Sequence, residues 1–271
     1  MTLLGTGSPI PTPDRAGPST LVRAAGRDIL VDCGRGVLMR LAAAFGNPVT
    51  LSMVLLTHLH SDHTTDLNDV ITSRWAMSPF PNPLRVVGPP GTQQFVDRTL
   101  EMLTDDIGYR LAHHADLTEP PQVDVTEIHD GVLLDEGGLR IIAAPTDHAP
   151  VHPTVGYRFE HDGHVVAIAG DTVPCEGLDR ICADADIYVQ TVIRADLIEQ
   201  IPFPRLQDVV DYHSSVADAG RTAARAGVST LLLTHPVPPP APDTEAEWTA
   251  LAEEHFGGMV ILGSDMLHTA T

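Results

Sequence analysis

Three imidazoles and one carboxylate fall within six residues, at His58, His60, Asp62 and His63, directly after the apolar, β-prone run from Met53 to Leu56. Nothing else in the chain limits the fold as strongly, because such a set works together only where a strand delivers it into a loop. In extended backbone the side chains alternate, so His58, His60 and Asp62 lean one way. His63 faces differently unless the chain turns there. A helix beginning at Asp62 supplies that turn: the carboxylate suits a first-turn position, and Leu67, Val70, Ile71 and Trp75 then recur at helical spacing. One short segment can thus address two neighbouring metal ions. The chain has 14 histidines, so an isolated pair would be surface decoration, but the whole HxHxDH set after a strand has the pattern of a metal site.

The segments around this loop read as a regular alternation. Residues 3–8 begin as a strand and break at Gly5 and Gly7, which we read as a tight turn near the site; a phosphate cradle would require a following helix. Thr20–Arg23 and Asp28–Val31 form paired strands around Gly26, and Val37, Leu38, Leu41 and Phe45 mark a helix stopped by Gly46 and Pro48. Leu84–Val87 is a strand, and Pro90-Gly91 opens a helix carrying Phe95, Val96, Leu100 and Leu103. Residues 105–121 resist assignment: Ile107 to Arg110 with His113 and His114 form either a lid or pocket wall, or a plain surface connection. Val123–Ile128, Gly131–Leu134 and Leu139–Ala143 read as antiparallel strands. A further strand end delivers His148. Val155–Glu160 and His164–Ala169 make a hairpin about Asp162-Gly163 that stops at Gly170-Asp171. Ile187–Gln190 is a strand, Ser214–Ala226 a helix closed by Gly227, and Thr230–Leu233 a strand ending in Thr234-His235. A helix over about Thr244–His255 and a short strand at Val260–Leu262 complete the chain.

This order contains a near-repeat. A strand ending in Asp32, a helix, and a strand ending in Thr57-His58 are echoed by a strand ending in Asp171, a helix-rich stretch, and a strand ending in Thr234-His235. Two such halves packed sheet to sheet with helices outside bring all the strand ends to one edge, where open α/β folds bind ligands. The expected fold is therefore a four-layer αββα sandwich, in a single domain over residues 1–271.

Charge bears on the partner. The 16 cations, every one an arginine, stand against 36 acidic residues, a formal net charge of −20. Phosphate binding draws its affinity from local cations, so this balance opposes tight, extended nucleic-acid binding while leaving a short or small phosphodiester open. Three widely spaced cysteines make no disulfide framework. There is no apolar run long enough to span a membrane and no signal-peptide start, so the expectation is a cytoplasmic protein without a membrane partner. No protein partner is evident.

The set His58, His60, Asp62, His63, His148, Asp171 and His235 resembles that of the metallo-β-lactamase superfamily, in family order. Within it, Leu4-Gly5-Thr6-Gly7-Ser8-Pro9, Gly156-Tyr157-Arg158-Phe159, and Tyr212-His213-Ser214-Ser215 placed 22 residues before His235 look like the ribonuclease Z and arylsulfatase-like branch. Carried over, the resemblance implies that His58, His60 and His148 bind one zinc and Asp62, His63 and His235 a second, with Asp171 between them. Manganese or another divalent ion could serve in place of zinc. It further implies Asp32 as a support for a ligand histidine, Asp62 and His213 as catalytic groups, and a homodimer. Two ions so placed clamp the attacking and leaving oxygens of a hydrolysis, and shared water ionises near neutral pH.

Two departures from the ribonuclease Z pattern concern the substrate. The glutamate that partners the proton-donating histidine in that family has no counterpart, since Gln190-Thr191-Val192-Ile193 stands in its place; Asp208 or Asp211 could substitute. Only 23 positions separate His148 from Asp171, leaving no room for the long basic arm common in members that process precursor transfer RNA. The reading is a dizinc hydrolase that cleaves a phosphodiester, in RNA or a smaller molecule, with a metal-bound hydroxide. Its rivals are an arylsulfatase or lactone and ester hydrolase on the same site, and a non-catalytic metal-binding module. Tyr109, Arg110, His152 and Arg194 are the candidates for the substrate pocket, though for His152, as for His113 and His114, a surface role competes.

Overall fold

The computed structural model describes residues 1–271. Thirteen strands form two sheets. The first comprises β1 (Thr2–Gly5), β2 (Ser19–Ala24), β3 (Arg27–Val31), β4 (Leu51–Leu55), β5 (Leu84–Gly88) and β6 (Val123–Glu127), in that spatial order. The second holds β7 (Gly131–Glu136), β8 (Leu139–His148), β9 (Val151–His161), β10 (His164–Ile168), β11 (Ile187–Ile193), β12 (Thr230–Val237) and β13 (Met259–Leu262), again in spatial order. Each sheet is antiparallel where the chain makes hairpins and parallel where helices intervene, as the handedness and length of crossovers require.

The helices are α1 (Val37–Ala43), α2 (Ser61–Thr64), α3 (Leu67–Met77), α4 (Thr92–Met102), α5 (Thr104–His113), α6 (Glu176–Cys182), α7 (Ala195–Ile198), α8 (Pro204–Gln207), α9 (Val216–Ala226) and α10 (Glu245–Glu253). Three apolar layers separate the four structural ones. Ile29, Val31, Met53 and Leu55 meet Ile141, Tyr157, Phe159 and Val189 between the sheets. Leu30, Val54 and Leu56 face Leu41, Val70 and Val96 of the helices outside the first sheet, while Tyr188, Leu231 and Leu233 face Leu178, Ala219 and Trp248 outside the second. Strands covered on both sides are apolar where both faces pack, which is why Met53–Leu55 of β4 and Leu231–Leu233 of β12 read as continuous runs. The αββα reading holds in full.

Several local expectations need correction. The helix expected from Asp62 is two pieces, α2 and α3, because the Asp66 carboxylate accepts the Gly36 N–H at 2.6 Å and the Asp66 N–H donates to Cys33 O at 3.0 Å; these bonds to a neighbouring loop stop the first turn. Phe45 lies beyond α1, 97% exposed with φ +57°. Val123–Glu127 is not in the antiparallel set: it joins the first sheet parallel to β5, because the turn at Ile128–Asp130 crosses from one sheet to the other. Residues 104–113, unassigned from sequence, form α5. The helix before β12 starts at Val216, with Ser215 as its cap in a reciprocal pair with Asp218, so Ser214 lies outside it.

Candidate active site

All the parallel strands end at one edge, and there the chain brings together His58, His60, Asp62, His63, His148, Asp171 and His235. The donor atoms of His58, His60, His148 and Asp171 lie within 4.8 Å of one another, as do those of Asp62, His63 and His235. Asp171, just past β10, sits between the groups: its Oδ2 is 3.8 Å from His58 Nε2, 3.9 Å from His148 Nε2, 3.5 Å from His63 Nε2 and 3.8 Å from His235 Nε2.

Hydrogen bonds at the far side of the His58, His63 and His148 rings decide which nitrogen faces inward. Asp32, at the end of β3, accepts Thr57 N–H at 2.8 Å and the Thr57 hydroxyl at 2.9 Å, and also takes the Nδ1–H of His63 at 2.8 Å. Since the Thr57 hydroxyl proton is spent on Asp32, its oxygen accepts Nδ1–H of His58 at 3.0 Å. His148 Nδ1–H donates to Tyr212 O at 2.8 Å. The His58 and His148 rings therefore turn bare Nε2 lone pairs inward, whereas His63, although burial opposes its charge, is raised well above the usual histidine range by the Asp171 and Asp32 carboxylates and must give up a proton to coordinate. His58 Nε2 and His148 Nε2 stand 3.1 and 3.3 Å from His60 Nδ1.

Such a convergence of lone pairs is a cation site. Burial pushes His58 well below the usual histidine range and His148 down to about 4, and lowers His60 too, so these rings are neutral and free to coordinate. Burial would raise Asp171, but His235, His63 and His213 hold it well below the usual carboxylate range. His63 Nε2 and Asp171 Oδ1 are buried with no hydrogen-bond partner. Unpartnered polar atoms inside a protein are costly, and here they aim at the positions a divalent ion would fill. The imidazole and carboxylate donor set fits such an ion.

His213 packs against this cluster without belonging to either donor group. Its Nδ1–H donates to Val209 O at 2.9 Å, in the short 3-10 turn Asp208–Asp211, and its Nε2 faces Asp171 Oδ2 at 3.3 Å. Burial opposes its protonation, yet the Asp171 carboxylate and the Val209 carbonyl outweigh this and raise its pKa. Neither Asp208 nor Asp211 replaces the missing glutamate; a main-chain carbonyl orients the ring instead. Gln190 is buried, bonded to Tyr188 and Thr191.

The pocket candidates fare differently. Arg110 pairs with Asp106 at 2.8 Å and lines a cleft of about 220 Å³ with Trp75, Phe80 and Glu119, which none of the seven candidate ligands enters. Tyr109, on the same helix, is 72% exposed. Arg110 thus belongs to the surface around the C-terminal end of α3, away from the cluster. Arg194 is also corrected: it makes a two-pronged pair with Asp196 at 2.7 Å, lies over the Trp248 ring and is only 8% exposed, so it is no free phosphate-binding cation. His152 is exposed, and its neighbour Val151 pairs with His148 across the β8–β9 turn, which leaves it near the rim. Sequence reading missed Thr57, whose hydroxyl links Asp32 to His58, and Tyr212, whose carbonyl fixes His148 and whose ring lies 5.1 Å from His148 and 4.7 Å from His213. Thr57 carried a signal in its place within the motif. A main-chain carbonyl carries none.

A four-layer αββα sandwich with this donor set at its strand-end edge defines the class: a metal-dependent hydrolase of the metallo-β-lactamase fold. The β-lactamase superfamily domain matches residues 27–236. Among solved structures, YhfI, a metallo-β-lactamase-fold protein from Bacillus subtilis, superposes with a TM-score of 0.76 at 22% identity, covering 98% of this chain and 96% of that one. The short form of human tRNase Z does so with 0.71 at 22% identity over 98% and 96%. A curated ribonuclease Z from Mycolicibacterium paratuberculosis is 58% identical over 268 residues, 98% of this chain and 96% of the relative. The chain belongs to the ribonuclease Z family.

Proposed function

We infer that the protein cleaves a phosphodiester bond in RNA, at the 3′ side of precursor transfer RNA in the manner of its relatives, with two zinc ions held by His58, His60 and His148 on one side, Asp62, His63 and His235 on the other, and Asp171 between. The observation that carries this reading is the placement of His213: a histidine outside the donor groups, fixed through Nδ1 and presenting Nε2 to the cluster. When bound, the two ions would polarise the phosphate and bring the pKa of a water to about 7.

The chain's own residues do the rest. Asp62 orients the attacking water and takes up its proton. The Nε2–H of His213 donates to the phosphate and then to the leaving oxygen, work for which a partner worth ~10²–10⁴ in rate is usual. Asp32 and Thr57 keep the ligand rings turned inward. The absence of a long arm does not argue against RNA, since the 58% identical relative named ribonuclease Z is filled to 96% by the same alignment and has little room for one either.

The test is a substrate panel on the metal-loaded protein: a precursor transfer RNA, bis(p-nitrophenyl) phosphate, p-nitrophenyl sulfate and a lactone. Endonucleolytic cleavage of the RNA with slower turnover of the small diester is expected. Turnover of the sulfate or the lactone without any diester cleavage would refute the reading in favour of an arylsulfatase or lactone hydrolase.

A further inference from the structure

His235 is held unlike the other ligand histidines. The far nitrogens of His58, His63 and His148 are fixed by Thr57, Asp32 and the Tyr212 carbonyl, and His60 is only half-buried. His235 Nδ1 is buried without a partner. No hydrogen bond beyond the metal side holds the ring, which otherwise only packs against the His63 and His213 rings, so its aim depends on the main chain.

That main chain is itself unusual. His235 has φ +53°, a left-handed conformation in which the Cβ of a non-glycine residue crowds the following carbonyl oxygen. The pairing of β12 with β11 also slips by one residue here, from Thr191 opposite Thr234 to Ile193 opposite Val237. A bulge of this kind re-aims a side chain, and it persists only if neighbouring structure holds it.

One bond does so from outside the sheet: His235 N–H donates to Thr6 O at 3.1 Å. Thr6 is gripped in turn by Asp265. Its N–H and hydroxyl donate to Asp265 Oδ1 at 2.9 and 2.8 Å, while Asp265 Oδ2 accepts Ala16 N–H at 2.7 Å and Arg40 Nε at 3.0 Å. Arg15 bridges the Thr6 hydroxyl to Gly263 O, both at 2.7 Å. The tail carrying Asp265 is anchored on both sides, by Gly263 N–H to Leu233 O and Met266 N–H to Leu3 O, each at 2.7 Å. The Asp265 side chain is 5% exposed and touches none of the ligands.

We propose that Asp265 is a positioning residue for the metal held by Asp62, His63 and His235, acting through Thr6 on the backbone of His235, so that the C-terminal tail sets the affinity of one of the two metal positions and leaves the other alone. This rests on the ligand assignment given above.

The experiment compares wild type, Asp265→Asn and His235→Ala, loading each with Zn²⁺ against a competing chelator and, separately, with Co²⁺ read by visible absorption. In Asp265→Asn one of two metals should bind ~10–100-fold more weakly, the range typical for loss of a group supporting a ligand. The other should keep wild-type affinity, and the one-metal Co²⁺ spectrum should match that of His235→Ala. Wild-type affinity at both positions, or an equal loss at both, overturns the proposal. If Asp265→Asn does not fold, Thr6→Val decides: it removes the hydroxyl bonded to Asp265 but keeps the carbonyl, and a selective weakening smaller than tenfold is expected, no change being a refutation. A wild-type protein that holds fewer than two metals would instead sink the ligand assignment.

Discussion

At the scale of single residues, the proposed function separates groups that would hold a metal from groups that would act on substrate. His213→Ala should retain the full metal complement and lose ~10²–10⁴ in kcat; metal analysis alongside single-turnover rates checks this, and metal loss would reassign His213 to holding the cluster. Asp32→Ala should do the converse. It frees the Thr57 N–H and hydroxyl and the His63 Nδ1–H at once, so metal affinity should fall ~10–100-fold, measurable by chelator competition. The clustering of His58, His60, Asp62, His63, His148, Asp171 and His235 was legible because imidazole and carboxylate at close spacing have few other uses. Tyr212 and Val209 were not, because they contribute carbonyl oxygens, which every residue has. Arg194 misled for a related reason: the sequence shows a cation but not the Asp196 carboxylate and Trp248 ring that occupy it.

Among the elements, the joints matter more than the strands and helices themselves. Periodicity placed β4, α4, α9 and β12 to within a few residues, since both faces of the parallel strands and one face of each helix are buried. The break between α2 and α3 escaped because it depends on Asp66 bonding a loop distant in sequence. Ser215→Ala should remove the capping pair of α9 and cost ~1 kcal/mol, seen as a lower denaturation midpoint with metal binding intact. Gly34→Ala should be worse. A Cβ there would lie 2.4 Å from Gly17 C and 2.6 Å from Asp62 O, forcing two loops apart beneath a ligand at a cost of ~1–3 kcal/mol; a melt of the metal-free protein isolates that cost from metal loss.

Over the whole molecule, charge and assembly govern the behaviour. Eleven of the 16 arginines pair with a carboxylate, so few cations are free to meet phosphate on a surface with a net charge of −20. KM for precursor transfer RNA should therefore rise less than ~10-fold between 50 and 200 mM salt, where a protein making many phosphate contacts would lose ~10³–10⁵ in affinity. A steep rise would reveal a cationic groove. Because the residues of the cluster come from both sheets, metal bound as proposed would tie the halves together. Chelation should lower the melting temperature, with ~2.7 kcal/mol lost per site that was loaded at a hundredfold its Kd. No helix is long and apolar enough to cross a membrane.

From its order of residues alone, the chain determined the two-fold pattern of strands, the edge at which they end and the ligand types gathered there, since these follow from local spacing and from which faces must be apolar. Folding decided what spacing cannot carry: which nitrogen of each ring points inward, which arginines are already paired, and how a tail at Asp265 reaches Thr6. Those outcomes depend on contacts between residues up to 259 positions apart, and a pairing over that distance leaves no trace in the neighbourhood of either partner.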